Sequence, residues 1–144
     1  MSVALGTIAA QQASATQVTT KYVTHLLYYC HTHPGAKVHY HASDMILHIH
    51  SDASYNSEAK ARSWDGGHFY LGKTESVRPT MHNNGAILNT STIVRNVMAS
   101  TSEAECGALS NNTNKAVSLR TTLHEMVHPQ PRKLNRRRVC KQTN

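Results

Sequence analysis

The residues best suited to chemistry in this chain are carboxylates at the ends of two predicted elements. Asp52 follows a run, residues 45–49, in which apolar side chains alternate with others, the period of a strand with one apolar face. Glu103 and Glu105 open a predicted helix about fifty residues further on. If that helix packs across the sheet, a strand acid and a helix acid can converge. Carboxylate oxygens are the ligands that hard cations such as magnesium prefer.

Histidine is the second source of candidate ligands, because the chain contains eleven. Several are spaced two apart, so that on a strand both members of a pair would share one face. Such a pair could hold a transition metal, or it could simply fill half-exposed polar positions. The pairs are His31/His33, His39/His41 and His48/His50. With regular pairing, the last pair lies on the same strand face as Asp52.

Residues 124–128 read His-Glu-Met-Val-His, the H-E-x-x-H pattern of zinc metallopeptidases. On a helix the two histidines share one face, and the glutamate could act as general base. Pro129 follows at once and ends the helix at the second histidine. Because no further histidine or acid lies downstream, we keep a zinc peptidase only as a remote alternative.

The elements that would position these residues follow from periodicity and from breaker residues. The pattern predicts a helix over residues 8–30, with an apolar stripe through Val18, Tyr22, Leu26 and Tyr29. Strands are predicted over 44–54 and 68–71, with a polar loop at 56–65 between them. Residues 85–98 form one bent strand or two short ones. Three neighbouring strands with short polar connections favour an antiparallel meander.

A long helix is predicted over residues 100–127. Ser100 with Glu103, or Ser102 with Glu105, fits a capping box. Pro129 and Pro131 end the helix, and the asparagine-rich run 111–114 is expected to bend or loosen it. The predicted apolar stripe consists of Leu109, Ala116, Leu119, Leu123 and Met126.

Four short segments resemble the ribonuclease H domain of copia-like retrotransposon polyproteins, which follows a reverse transcriptase. They read ASDM at 42–45, SDASY at 51–55, GGHFYLG at 66–72 and SEAECGAL at 102–109, with HPQP at 128–131 after the helix. The resemblance implies an α/β, ribonuclease H-like fold: an antiparallel meander with a long packed helix, preceded by an N-terminal helix. It also implies three parts: a helix and connection at 1–41, a partial ribonuclease H-like domain at 42–131, and a basic, disordered tail at 132–144.

The resemblance further implies two-metal hydrolysis of RNA in RNA–DNA hybrids, with Mg²⁺ or Mn²⁺ as cofactor. Asp52 matches the family's metal-bridging aspartate, and Glu105 matches its helical glutamate, while Glu103 is expected to cap the helix and Asp44 to be structural. The family has a third acid where this chain reads Lys-Gln-Thr-Asn at 141–144. We therefore expect a C-terminally truncated module with an incomplete sheet, weak metal binding at best and little or no hydrolysis.

The formal net charge of +7 is concentrated at the C-terminal end. The other nine basic residues nearly balance the eight acids. A basic tail can bind nucleic acid through phosphates, which gives the main alternative, a non-catalytic nucleic-acid-binding remnant; a solvated, disordered end is equally compatible. The six tail cations are Arg132, Lys133, Arg136, Arg137, Arg138 and Lys141.

Three scattered cysteines form neither a disulfide framework nor a zinc ribbon, which fits a reducing compartment. No apolar run reaches membrane-spanning length, and residues 1–10 lack the basic start of a signal peptide. The sequence thus predicts an intracellular protein, cytoplasmic or nuclear, that has no membrane partner and acts on RNA–DNA hybrid or another nucleic acid.

Overall fold

A computed structural model describes residues 2–58, 60–73 and 84–131 of the chain. Its helices are α1 (Ser2–Ala10), α2 (Gln17–Thr32) and α3 (Thr101–Glu125), with a 3-10 turn at Gln12–Ser14. Its strands are β1 (Ile46–Glu58), β2 (Arg62–Gly72) and β3 (Ala86–Val94). They form one antiparallel sheet in the order β1-β2-β3. The predicted mixed α/β class and strand meander are confirmed.

The first hairpin is longer than the sequence predicts, and the loop expected at 56–65 is wrong. β1 continues to Glu58 and β2 already begins at Arg62. The pairing shifts between Ser54 and Glu58, where Asn56 has a φ of 51°. On β1 the polar residues Asn56 and Ser57 are exposed at the far end of the hairpin, so their polarity reflects exposure rather than the absence of a strand. On β2, by contrast, Ser63 and Asp65 are polar but buried.

The two faces of the sheet carry different helices. Ser51 bonds Asn112 of α3, so the odd-numbered residues of β1 face α3 and the even-numbered ones face the opposite side. On that opposite side α1 packs near β3 and covers Trp64. A Cβ built on Gly6 would lie 2.8 Å from the Trp64 ring. Only glycine permits this approach of α1 to the sheet.

Small residues, rather than the predicted leucine stripe, bring α3 onto the sheet. Leu109 and Met126 are 54% and 58% exposed, so that part of the prediction is wrong. The residues of α3 that are buried are Ala104, Ala108, Asn112, Ala116 and Leu123. A Cβ on Gly67 would lie 2.5 Å from Asn112 Oδ1. The close approach of α3 to the sheet therefore requires glycine at this position of β2.

A buried polar cluster lies at the centre of this contact. Asn112 Nδ2 lies 2.8 Å from Asp65 Oδ1 and 2.9 Å from both Ser51 Oγ and the Gly66 carbonyl. Its two hydrogens are shared among these three acceptors, while Asn112 Oδ1 accepts from Thr90 Oγ1 at 3.2 Å. Asn112 therefore links all three strands to α3. The asparagine run does not loosen the helix, because its polar groups find partners in the sheet.

Both ends of α3 are fixed by side-chain hydrogen bonds. Ser100 Oγ accepts from the Glu103 amide at 3.2 Å, as the capping box predicts. Glu103 Oε2, however, accepts from the Ala99 amide instead of the Ser100 amide. Beyond the helix, Gln130 bonds the start of β1: Oε1 accepts from the Leu47 amide at 3.0 Å and Nε2 donates to the Met45 carbonyl at 2.9 Å.

The predicted N-terminal helix is in fact two helices. Thr16 starts α2 with a reciprocal capping box to Thr19, and the 3-10 turn separates α2 from α1. The predicted apolar stripe is largely solvent-facing, since Val18, Tyr22 and Tyr29 are each about half exposed. The periodicity of the sequence correctly predicted a helical conformation. It could not show whether another element covers the apolar side of the helix.

We predict that Asn112→Ala lowers the free energy of unfolding by about 3 kcal/mol, because it removes one buried donor from both the Asp65 carboxylate and the Gly66 carbonyl. Asn114→Ala, at an exposed position of the same helix, is the matched control and should change stability by less than about 0.5 kcal/mol. Urea denaturation measures both. Equal effects of the two variants would contradict the assigned role of Asn112.

Candidate functional site

Asp52 lies on the sheet face turned away from α3. It is exposed in the regular part of β1, directly opposite Gly66 of β2. Its neighbour Ser51 is hydrogen-bonded to α3. Since successive side chains of a strand point to opposite faces, the Asp52 carboxylate projects from the other side of the sheet.

Glu105 lies in the second turn of α3 and is partly buried. It is seven residues before Asn112, about 10 Å along the helix axis from the contact with Ser51. The structure therefore does not bring Asp52 and Glu105 together, because the sheet separates them and the helix carries Glu105 further away. Among the described residues, no three histidine, cysteine, aspartate or glutamate side chains are grouped so that they could hold a metal ion.

The face that carries Asp52 instead presents a histidine–tyrosine cluster, formed by His48, His50, His68 and Tyr70. The register places His48 opposite Tyr70 and His50 opposite His68, so the expectation that His48 and His50 share the Asp52 face is confirmed. The three imidazole centroids lie 5.3 to 5.5 Å from the Tyr70 ring. This cover explains why Tyr70 is only 2% exposed.

Hydrogen bonds orient each imidazole of the cluster. His50 Nε2 lies 3.0 Å from the Tyr70 hydroxyl, and His48 Nε2 lies 3.2 Å from the Lys73 carbonyl. His68 Nδ1 lies 2.8 Å from Asn89 Oδ1. Partial burial lowers the pKa of His50 below its usual 6.5, and the neighbouring His68 and His48 lower it further. The cluster thus favours the neutral form of His50.

Sequence reasoning missed Asp65, the acid that the fold buries. Asp65 is 1% exposed in the central strand. Besides its bond to Asn112, Asp65 Oδ2 accepts from Asn111 Nδ2 at 3.2 Å and lies 3.8 Å from Lys115 Nζ. These donors satisfy the carboxylate, which makes it a structural acid. The available signal was the helical spacing of Asn112 between Ala108 and Ala116, which marks a polar residue in a buried stripe.

The H-E-x-x-H segment is not a continuous helical face. α3 ends at Glu125, and Val127 adopts a left-handed φ of 65°. The His128 amide then turns back to the Leu123 carbonyl at 3.0 Å. His128 therefore leaves the face that carries His124, which counts against a peptidase site.

The remaining candidates are dispersed. His31 and His33 lie at the exposed end of α2, where His33 stacks on Tyr29 with ring centroids 4.5 Å apart. His39 and His41 lie in an extended segment that bonds Asn84 and Gly85. The predicted nucleic-acid-binding residues, Arg132, Lys133, Arg136, Arg137, Arg138 and Lys141, lie outside the described residues.

Comparison with protein-family models, curated proteins and solved structures finds no match to this chain. Within the three described segments, no helix is both long and apolar enough to cross a membrane. The class that the coordinates define is therefore a mixed α/β protein with a three-stranded antiparallel sheet.

We predict that the chain loses stability as the pH falls below about 6.5, in part through His50. Because its pKa is lowered in the folded state, the unfolded chain binds more protons in that range, and acid favours unfolding. His50→Gln, which keeps a polar group beside Tyr70, should flatten the fall in the free energy of unfolding below pH 6.5. Urea titrations in EDTA measure both slopes, and identical slopes would contradict the prediction.

Proposed function

We propose that this chain is a retroelement-derived, ribonuclease H-like module whose hydrolysis of RNA in RNA–DNA hybrids is lost or severely weakened. The supporting observation is the order of elements that carry the resembling motifs. Asp52 lies on the first strand of an antiparallel meander, and Glu105 lies near the start of a long helix packed on that meander. This is the arrangement that the resemblance implies.

The loss of hydrolysis is proposed from the separation of the same two acids. Two-metal phosphodiester hydrolysis needs carboxylates that converge on ions about 3.5–4 Å apart. Asp52 and Glu105 lie on opposite faces of the sheet, and the buried acid Asp65 is already bonded to Asn111, Asn112 and Lys115. Hard cations such as Mg²⁺ and Mn²⁺ require several oxygen ligands, and among the described residues no three candidate ligand side chains are grouped to hold an ion.

A second candidate is nucleic-acid binding without catalysis. Six of the fifteen basic residues lie within residues 132–144, which gives the chain a concentrated positive charge. Phosphate neutralisation by such a segment supplies affinity that does not depend on sequence. In that case the module holds RNA–DNA hybrid, or another nucleic acid, through charge alone.

We predict that the purified chain does not cleave a labelled RNA–DNA hybrid faster than Asp52→Asn, with Mg²⁺ or with Mn²⁺. The reason is that Glu105 lies on the other face of the sheet from Asp52. Cleavage is followed by gel electrophoresis, with an active ribonuclease H as a positive control for the substrate. Cleavage by the native chain that Asp52→Asn abolishes would overturn the proposed loss of activity.

We also predict that binding to a hybrid weakens steeply with salt. The slope of log K against log salt should reach at most about −5, the value for six neutralised phosphates. A variant in which the six tail cations are replaced by glutamine should lose most of that slope. The matched control replaces Lys21, Lys37, Lys60 and Lys73 instead and should keep it. Salt-independent binding would exclude this second candidate.

A further inference from the structure

The outer edge of β1 is an open hydrogen-bonding surface. β1 is thirteen residues long and lies at the edge of the sheet. Gln130 bonds the Leu47 amide and the Met45 carbonyl from outside the sheet, which shows that the backbone groups of odd-numbered residues point away from β2. Among the described residues, no hydrogen-bond partner approaches the outward groups of Ile49, Ser51 and Ala53. Such an edge is a template for another strand.

We propose that two copies of this chain associate through this edge, with the two β1 strands antiparallel about a two-fold axis at Ser51. Ser51 then pairs with the partner's Ser51, and Ile49 pairs with the partner's Ala53 in both directions. Pairs of this kind exchange two hydrogen bonds each, about six in total. The result is a continuous six-stranded sheet with an isologous interface.

The side chains on the open face favour this register over its neighbours. An axis at Ser51 sets His50 opposite the partner's Asp52, and Asp52 opposite the partner's His50. Cross-strand pairs of opposite charge, or of donor and acceptor, are stabilising. An axis at Ile49 would instead oppose His50 to the partner's His48 and would require the Leu47 amide, which Gln130 already occupies. With the axis at Ser51, His50 and Asp52 of one copy are therefore complementary to Asp52 and His50 of the other.

Exposed residues of α3, on the other face of the sheet, provide a second and independent argument for this interface. Asn111 and Lys115 reach Asp65 on β2 from one side of α3, whereas Arg120 reaches the Pro131 carbonyl, next to Gln130, from the other side. At 100° per residue, Leu109, Thr113 and Val117 lie on the Arg120 side, above the open edge.

These residues would meet across the proposed axis. Asn112 bonds Ser51, so Thr113 lies near the axis, and Leu109 falls beside the partner's Val117. Both are apolar and solvent-facing in the single chain, with 54% and 57% of their surface exposed. Asn112 bonds both Ser51 of β1 and Asp65 of β2, so α3 lies over the space between these two strands. With neighbouring strands about 4.8 Å apart, two such helices related by the axis lie about 10 Å apart, close to the usual distance for packed helices. On the opposite face, α1 packs near β3, on the far side of the sheet from the proposed interface.

The first test is sedimentation equilibrium of the full chain without nucleic acid and with its cysteines reduced. The mass should rise with concentration to twice the 15.9 kDa of one chain. Hydrogen exchange by NMR should show concentration-dependent protection of the Ile49, Ser51 and Ala53 amides, whereas His48, His50 and Asp52 should be unaffected. A monomer at all concentrations overturns the proposal, and so does protection independent of concentration, which would assign the edge to the same chain.

Two substitutions locate the interface. Val117→Lys should weaken association at least about tenfold, whereas Val97→Lys, a control at another exposed valine, should not. Ala53→Pro removes an outward amide without removing a bond to β2 and should abolish association, while Ala53→Ser should retain it. Far-UV circular dichroism checks that each variant folds. A dimer that survives both Val117→Lys and Ala53→Pro overturns the proposal.

A charge exchange tests the register. Asp52→Lys alone and His50→Glu alone should each stay monomeric, because each sets like charges or mismatched groups opposite one another. Mixed together the two variants should form a heterodimer. The unchanged His50 of the first variant then faces the unchanged Asp52 of the second, and the two introduced side chains, which are opposite in charge, face each other. A mixture that remains monomeric while the native chain dimerises would exclude the axis at Ser51.

Discussion

Burial of the Asp65 carboxylate against Asn112 is the contact on which the remaining structure depends. A carboxylate in the middle of a sheet is costly unless donors surround it, and α3 supplies those donors from Asn111, Asn112 and Lys115. The cluster links the helix to all three strands. It therefore fixes which residue of α3 lies over which residue of β1, and with it the positions of Asp52 and Glu105 relative to each other.

This alignment gives the two sheet faces different roles. The face under α3 holds the polar cluster and small residues, and Glu105 belongs to its periphery. The opposite face holds Asp52 with the histidine–tyrosine cluster, where three imidazoles cover the ring of Tyr70. A carboxylate site built from Asp52 of β1 and Glu105 of α3 would need side chains from both faces of the sheet. The separation of Asp52 from Glu105 thus follows from the face of the sheet on which α3 docks.

The outer edge of β1 is only partly covered by other residues of the described chain. The Gln130 side chain forms the hydrogen bonds that a neighbouring strand would otherwise make with the beginning of β1 on its outer side. Further along β1, no described residue bonds the outward groups of Ile49, Ser51 and Ala53, and Leu109 and Val117 are exposed above this edge. Natural sheets usually cover, shorten or charge such an edge. The alternation of His50 and Asp52 along β1 allows the same strand to recognise a second copy of itself.

The sequence by itself determined the elements that local pattern controls. Alternation predicted the first strand, Ser100 predicted the start of α3, and the prolines predicted its end, because capping, breaking and periodicity depend on neighbouring residues only. The shared face of His48, His50 and Asp52 also followed from the two-residue period of a strand. Tertiary structure alone decided that Asn112 is buried, that Leu109 is exposed, and that Asp52 and Glu105 are kept apart. These outcomes depend on which face of the sheet the helix covers, and that choice is made by contacts between residues about fifty positions apart, such as Asp65 with Asn112, which no local pattern contains.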